Sequence, residues 1–209
     1  MHKLSFVIDL INLFLIIMEK NPGLINELIE RRFSPLAFDK RAVEEAKIKR
    51  LFEAARWAPS SRNEQPWRFI YATRDEGPAF DNMLSTLAEG NRIWAQNVPL
   101  LILSIASVYS SFSGKPNYYA MHDTGMAVCN LLVQATEMGL YVHQMGGYDK
   151  KMARQKLGIP EGYDPVAMIA VGYRGNLNDL PEDLRKREQA RRTRLPVDEI
   201  VFRYNWKTK

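Results

Sequence analysis

The chain has 209 residues, 46% hydrophobic and 25% charged, a balance typical of one globular domain with a buried core. Its 29 Lys and Arg exceed its 24 Asp and Glu, giving a net charge of +5. These basic residues are spread out, without the basic and aromatic pattern of a nucleic-acid module, so we expect no nucleic-acid partner. The single cysteine, Cys129, excludes an internal disulfide and is compatible with the reducing cytoplasm, where we expect the protein to act.

Residues 1–17 form an apolar extension ahead of the main domain, which we place at residues 18–209. Two polar residues interrupt the extension, and it is shorter than the roughly 20 residues of a membrane helix. We therefore expect no stable membrane insertion. Two explanations stay open: a mis-assigned start, with Met18 as the true first residue, or a peripheral helix that packs on the body or on a partner.

Local patterns predict the first half of the domain. Asn21-Pro22 starts a short helix that runs through Glu30. Apolar residues at i, i+3, i+4 and i+7 predict an amphipathic helix over residues 41–57. Two mostly apolar runs then predict buried strands at Phe69–Ala72 and Leu100–Ile105.

The second half is predicted to contain a long helix and two more strands. Residues 119–138 are apolar on almost every face, so we expect the central helix of the fold or of a dimer interface, with Cys129 as a buried structural thiol. Strands follow at Leu140–His143 and Val166–Val171, separated by a helix that Asp149 caps and that ends at Gly158. The mixture predicts an α+β fold.

Several catalytic signatures are missing from the sequence. The three histidines and Cys129 show no metal-ligand spacing, so we predict no metal site. There is no nucleophile elbow, Walker loop or Gly-x-Gly-x-x-Gly fingerprint. If the chain is an enzyme, a cofactor is expected to do the chemistry.

Three polar patches are candidate binding segments. Each one alone has a plain structural explanation: a solvated helix end, a polar turn, or a charged surface segment. The patches are Glu30-Arg31-Arg32-Phe33-Ser34-Pro35-Leu36-Ala37-Phe38, Ala58-Pro59-Ser60-Ser61-Arg62-Asn63-Glu64-Gln65-Pro66-Trp67 and Arg191-Arg192-Thr193-Arg194-Leu195-Pro196.

Together, and in this order with Gly146-Gly147-Tyr148-Asp149, the patches resemble the nitroreductase family of FMN-dependent oxidoreductases. The resemblance extends from about Leu24 to Val201, and the Pro-Ser-Ser-x-Asn-x-Gln-Pro-Trp string is its most specific part. It implies an α+β sandwich with a central, mainly antiparallel sheet flanked by helices. It also implies a homodimer with two FMN sites at the interface. It also implies NAD(P)H as the electron donor and a nitroaromatic, quinone or related small molecule as the acceptor, in a ping-pong reaction with no protein acid or base.

The resemblance also implies a role for each matching residue. Arg32 and Ser34, with Arg31 beside them and Arg192 and Arg194 joining them, would hold the phosphate and ribityl end of FMN, since arginine forks match phosphate oxygens. A second set would line the flavin from the other subunit: Pro59, Ser60, Ser61, Asn63 and Gln65. Gly146 and Gly147 would bring the backbone close to the flavin ring at N5, and Trp67 is expected to anchor the next strand.

One departure from the family pattern leaves alternatives open. Leu36 stands where the family usually has Arg or Lys near the flavin pyrimidine. Either another group supplies that charge or the reduction potential is lower. The alternatives are a flavin-binding protein without turnover, a specialised flavin-fragmenting or dehalogenating member, and an interaction protein held at a membrane by its first residues.

Overall fold

The computed structural model describes residues 25–190 and 192–206. The apolar extension and the predicted helix start at Asn21-Pro22 lie outside the described residues. The first described helix, α1 (Glu27–Arg31), begins after Asn26, whose side-chain oxygen accepts a hydrogen bond from the Leu28 N–H at 2.9 Å. Such a cap satisfies a backbone donor that the first turn leaves unpaired.

Four strands form one antiparallel sheet in the order β1-β2-β4-β3, which confirms the predicted antiparallel sheet. Each predicted strand is present with slightly different bounds. Trp67, the first residue of β1, is buried as expected. The strands are β1 (Trp67–Thr73), β2 (Leu100–Ser107), β3 (Tyr141–Met145) and β4 (Tyr163–Gly172).

Helices cover both faces of the sheet, giving an α/β/α sandwich. Two long helices pack on one face: α2 (Glu45–Arg56) and α5 (Ala120–Glu137). Four short helices pack on the other face: α3 (Pro78–Leu84), α4 (Glu89–Ala95), α6 (Lys150–Lys156) and α7 (Glu182–Gln189).

The central strand β2 shows why its sequence is an unbroken apolar run. Leu101 and Leu103 belong to the core on the short-helix side, while Leu100 and Ile102 belong to the core against α2 and α5. Because successive side chains of a strand alternate between faces, a strand covered on both faces needs apolar residues at every position.

The long helix α5 has one buried side and one exposed side. Ala127, Leu131 and Ala135 are buried against the sheet. Cys129 is exposed, so the expectation of a buried thiol was wrong for the single chain. The apolar character of the second side does not come from packing within this chain.

Within residues 25–190 and 192–206, no helix combines the length and the apolar content that crossing a bilayer requires.

Candidate functional site

A cleft of about 500 Å³ lies between α1, α5, β3 and the C-terminal segment. We call it the arginine cleft. The polar residues that line it come from three distant parts of the chain, and they are Arg32, Ser34, His143, Gln144 and Arg194. One wall is apolar and includes Leu28, Leu132 and Val133, so the cleft offers both polar and apolar contacts.

Two arginines line this cleft, Arg32 and Arg194, and Arg192 lies beside them. Arg32 donates a hydrogen bond to the Ser34 hydroxyl at 3.0 Å, and Arg192 donates to the backbone carbonyls of Arg32 and Glu30. Burial, followed by the nearby charges of Arg192 and Arg194, lowers the pKa of Arg32. The loss of hydration and the like charges both disfavour the charged guanidinium, which an anion bound between the arginines would stabilise.

The hydrogen bonds that Arg32, Arg192 and Arg194 donate go to a hydroxyl oxygen or to backbone carbonyl oxygens. Arg31 points elsewhere: its guanidinium pairs with Glu27 at 2.8 Å on the exposed side of α1. The structure therefore brings three of the four predicted arginines together and leaves Arg31 outside the cleft.

The predicted loop residues 59–65, called the serine loop below, lie apart from the arginine cleft of the same chain. Several hydrogen bonds shape the loop. Among them, Ser61 N–H donates to Asp123 Oδ2 at 2.9 Å, and Gln65 N–H donates to the Ser60 hydroxyl at 3.0 Å. Asp123 is buried in the first turn of α5, and its other oxygen is 2.9 Å from His122 Nδ1. Pro59 and Asn63 are exposed.

Backbone strain is concentrated in the serine loop. Arg62, Asn63 and Gln65 have φ values of 53°, 57° and 48°. This left-handed region is costly for residues other than glycine and is tolerated best by asparagine. Non-glycine residues persist there where the surrounding contacts over-determine the backbone, which is common at ligand sites.

The glycine pair follows β3. Both residues are exposed, and a Cβ atom on Gly146 would meet nothing within 4 Å. The Gly147 carbonyl accepts hydrogen bonds from Ala88 N–H and from the Asn91 side chain, each at 3.0 Å. The backbone here is fixed on one side and open on the other, as a close approach to a flat ligand requires.

His143 belongs to this site, although sequence reasoning considered it only as a metal ligand. Its Nδ1 lies 2.7 Å from the Pro35 carbonyl, and its ring packs 4.8 Å from the Trp94 ring. Burial lowers the pKa of His143, against the smaller opposing effect of that carbonyl. The one indication in the sequence that His143 could belong to the site was its position inside strand β3, two residues before Met145.

Glu188 is the second residue that sequence reasoning missed. It lies in the charged helix α7, but it is buried, and its Oε2 accepts from Leu36 N–H at 2.6 Å and Ala37 N–H at 2.8 Å. This contact holds the end of helix α7, which lies just before Arg192, against the backbone just after Ser34. Nothing local in the sequence marks it, because the partners are about 150 residues apart.

Leu36, the residue at the position of the family cation, is buried in the core. Its side chain does not line the arginine cleft. Two polar residues of the segment before β2 contact other parts of the chain: Gln96 donates to the Ile93 carbonyl, and Asn97 lines a separate pocket beside Phe38.

Comparisons with known proteins agree with this architecture. The model of the nitroreductase family matches residues 29–173. A solved structure described as an oxidoreductase containing FMN is 33% identical, covers 90% of this chain and 96% of its own, and superimposes with a TM-score of 0.84. A nitroreductase family protein from Clostridium difficile is 28% identical over 87% of this chain and 100% of its own, with a TM-score of 0.67.

A sequence relative from Archaeoglobus fulgidus carries the name "Putative NADH dehydrogenase/NAD(P)H nitroreductase". It is 29% identical over 161 residues, which are 75% of this chain and 88% of the relative.

Proposed function

Since the chain is a member of the nitroreductase family of oxidoreductases, we propose that it binds FMN and uses NAD(P)H to reduce a nitroaromatic, a quinone or a related small molecule. One observation carries the proposal. Arg32 and Arg194 line one cleft with Arg192 beside them, and the hydrogen bonds that these arginines donate go to hydroxyl and carbonyl oxygens. The relative described as containing FMN supports the choice of anion.

The residues of the arginine cleft fit a flavin phosphate. Arg32, already bonded to the Ser34 hydroxyl, offers its remaining guanidinium N–H groups. Arg194 also lines the cleft, near enough for its charge to act on Arg32. Guanidinium forks bind phosphate oxygens in pairs and stay charged at all physiological pH values, so they suit a permanently anionic group.

The chemistry that FMN supplies when bound is hydride transfer from NAD(P)H at N5, followed by transfer of the electrons to the acceptor. The chain's own residues would position and shield this chemistry. Gly146 and Gly147 let the backbone approach closely, and Asn91 fixes the Gly147 carbonyl. His143, neutral because of its burial, would contact the ligand without adding charge. These contacts orient the reacting groups, a large source of rate enhancement.

We further propose that the site needs a second copy of the chain. The serine loop carries five of the predicted flavin residues but does not line the arginine cleft of its own chain, so a partner subunit would bring it there. The exposed side of α5 supports this arrangement. Met121, Gly125 and Cys129 lie on it at i, i+4 and i+8, so this side is free to pack against a partner subunit. The C-terminal segment also exposes a series of apolar side chains: Leu195, Val197, Ile200, Val201, Tyr204 and Trp206.

The proposal is tested by recording the absorption spectrum of the protein and then reducing its flavin. Purified protein, supplied with FMN if needed, should show flavin absorption and bleach when NAD(P)H is added without oxygen. Adding a quinone such as menadione should restore the colour. A folded sample that refuses FMN would overturn the proposal, and flavin that NAD(P)H and quinone leave unchanged would favour a binding protein without turnover.

A further inference from the structure

A short hairpin outside the sheet carries aromatic side chains into solvent. We call residues 108–117 the aromatic hairpin. Tyr109 bridges to Pro116, and the Ser110 N–H donates to the Lys115 carbonyl at 2.8 Å. Tyr109 and Phe112 are 52% and 69% exposed. Exposed aromatic side chains of this size commonly mark a binding surface.

One carboxylate of the serine loop holds this hairpin. Glu64 Oε2 accepts from the Ser111 N–H at 2.9 Å and from the Ser111 hydroxyl at 2.8 Å. Its other oxygen accepts from the Ser110 hydroxyl. These bonds, that of Ser110 first, lower the pKa of Glu64, so the carboxylate is the bonded form at neutral pH.

The contact extends to the tip of the hairpin. The Ser110 hydroxyl oxygen, while donating to Glu64, accepts from the Phe112 and Ser113 N–H groups at 3.3 Å each. Glu64 therefore fixes Ser110, and Ser110 fixes the backbone that carries the Phe112 ring.

The carboxylate also lies within the strained part of the serine loop. Arg62 and Asn63 before it and Gln65 after it have left-handed backbone conformations, whereas Glu64 has an ordinary helical one. A strained backbone keeps its geometry only while its anchors hold. On the side of the hairpin, those anchors are the bonds of Glu64.

We propose that Glu64 is a positioning residue that joins the serine loop and the aromatic hairpin into one wall of the acceptor site. This inference rests on the proposed function. The serine loop would lie beside the flavin, so the hairpin fixed to it would contact the acceptor that follows NAD(P)H. Aromatic side chains stack on flat rings, so the wall would favour fused-ring acceptors, such as naphthoquinones, over single-ring benzoquinones.

The test uses Glu64→Ala and Glu64→Gln in the full chain, with Glu45→Gln as control. Glu45 is an exposed glutamate on α2 whose ion pair is with Lys49 of the same helix. Chymotrypsin is added to each flavin-free protein, and cleavage between Tyr109 and Tyr119 is followed by mass spectrometry. The ratio of kcat/KM for menadione to kcat/KM for benzoquinone is then measured on the FMN-loaded proteins.

We expect Glu64→Ala to be cleaved faster in the hairpin and to lose selectivity for menadione by about tenfold, the order of effect that the loss of one aromatic stacking contact has. Glu64→Gln keeps an acceptor oxygen and should fall between Glu64→Ala and the wild type, which a general folding defect would not produce. The inference is overturned if cleavage and selectivity both match the Glu45→Gln control. Failure of the proposed function would look different: the wild type would not bind FMN, while the cleavage arm would still report on the Glu64 contact.

Discussion

Arg32 and Arg192 are 160 residues apart in the chain, yet the guanidinium of Arg192 donates to the Arg32 carbonyl. Each arginine uses protein carbonyls and hydroxyls as its partners. Backbone carbonyls orient a guanidinium without cancelling its charge, so the positive potential of the cleft stays available to a ligand.

Arg194→Ala is expected to weaken FMN retention, because a guanidinium that contacts a phosphate contributes about 1.5–3 kcal/mol. The dissociation constant should rise by roughly ten- to a hundredfold, measured by fluorescence titration with FMN. Arg50→Ala is the matched control, since Arg50 forms an exposed ion pair with Glu137 away from the cleft. Equal affinities in the two variants would contradict the phosphate assignment.

His143 should make folding stability depend on pH. Its lowered pKa means that the folded chain favours the neutral ring, while the unfolded chain takes up a proton near pH 6.5. Its contribution is fully present above that pH and is lost as the pH falls through the lowered folded pKa. We expect the urea midpoint of the flavin-free protein to drop as the pH falls below about 6.5, and to drop less in His143→Gln. Identical pH dependence in both proteins would show that another group is responsible.

At the scale of elements, the sequence predicted the long helices and the four strands because their apolar periodicity is a local property. The residue pattern of Ile48, Leu51 and Ala55 places one face of α2 in the core, as the spacing indicates. The short helices α3, α4 and α7 were not predicted, since seven or eight residues give too little periodicity to recognise.

In the candidate site too, features that are local in the sequence could be predicted and contacts between distant residues could not. Motif residues such as Arg32 and Ser34 were found because the order of motifs along the chain is visible. The roles of Asp123, Glu64 and Glu188 depend on partners more than 40 residues away, which no local pattern shows. Cys129 was expected to be buried because its neighbours are apolar, but that apolar surface has no cover within one chain.

Glu188 should couple helix α7 to the arginine cleft. Glu188→Ala leaves the Leu36 and Ala37 N–H groups without their acceptor, and each buried donor left unpaired costs about 1–3 kcal/mol. We expect the free energy of unfolding to fall by about 2–5 kcal/mol in urea titrations, and FMN retention to fall with it. Glu182→Ala, on the same helix but paired with Lys186 at the surface, should change neither quantity appreciably.

At the scale of the whole molecule, the sheet is covered on both faces, so the remaining exposed apolar surface lies outside the core. Besides the aromatic hairpin, two regions that contribute to it are the outer side of α5 and the C-terminal segment. Both would be buried by the proposed second copy, and the mass in solution should be twice the 24.1 kDa of one chain.

Gly125→Phe is expected to separate the two copies. A Cβ at Gly125 meets nothing within 4 Å in the single chain, so the fold should tolerate the ring and the helix should gain propensity. In a close packing of two α5 helices the ring would clash. Light scattering should show a shift to the monomer, with helical circular dichroism retained and flavin lost. Lys49→Phe, exposed on α2, adds the same ring elsewhere and should stay dimeric; a dimeric Gly125→Phe would contradict the proposed contact.

The exposed thiol of Cys129 gives the molecule a built-in reporter. As the single cysteine of the chain, it sits in the wall of the arginine cleft, so a maleimide fluorophore would attach at one known place without any engineering. The rate of that labelling would report, in real time and without any substitution, whether the cleft is empty, holds a ligand or is covered.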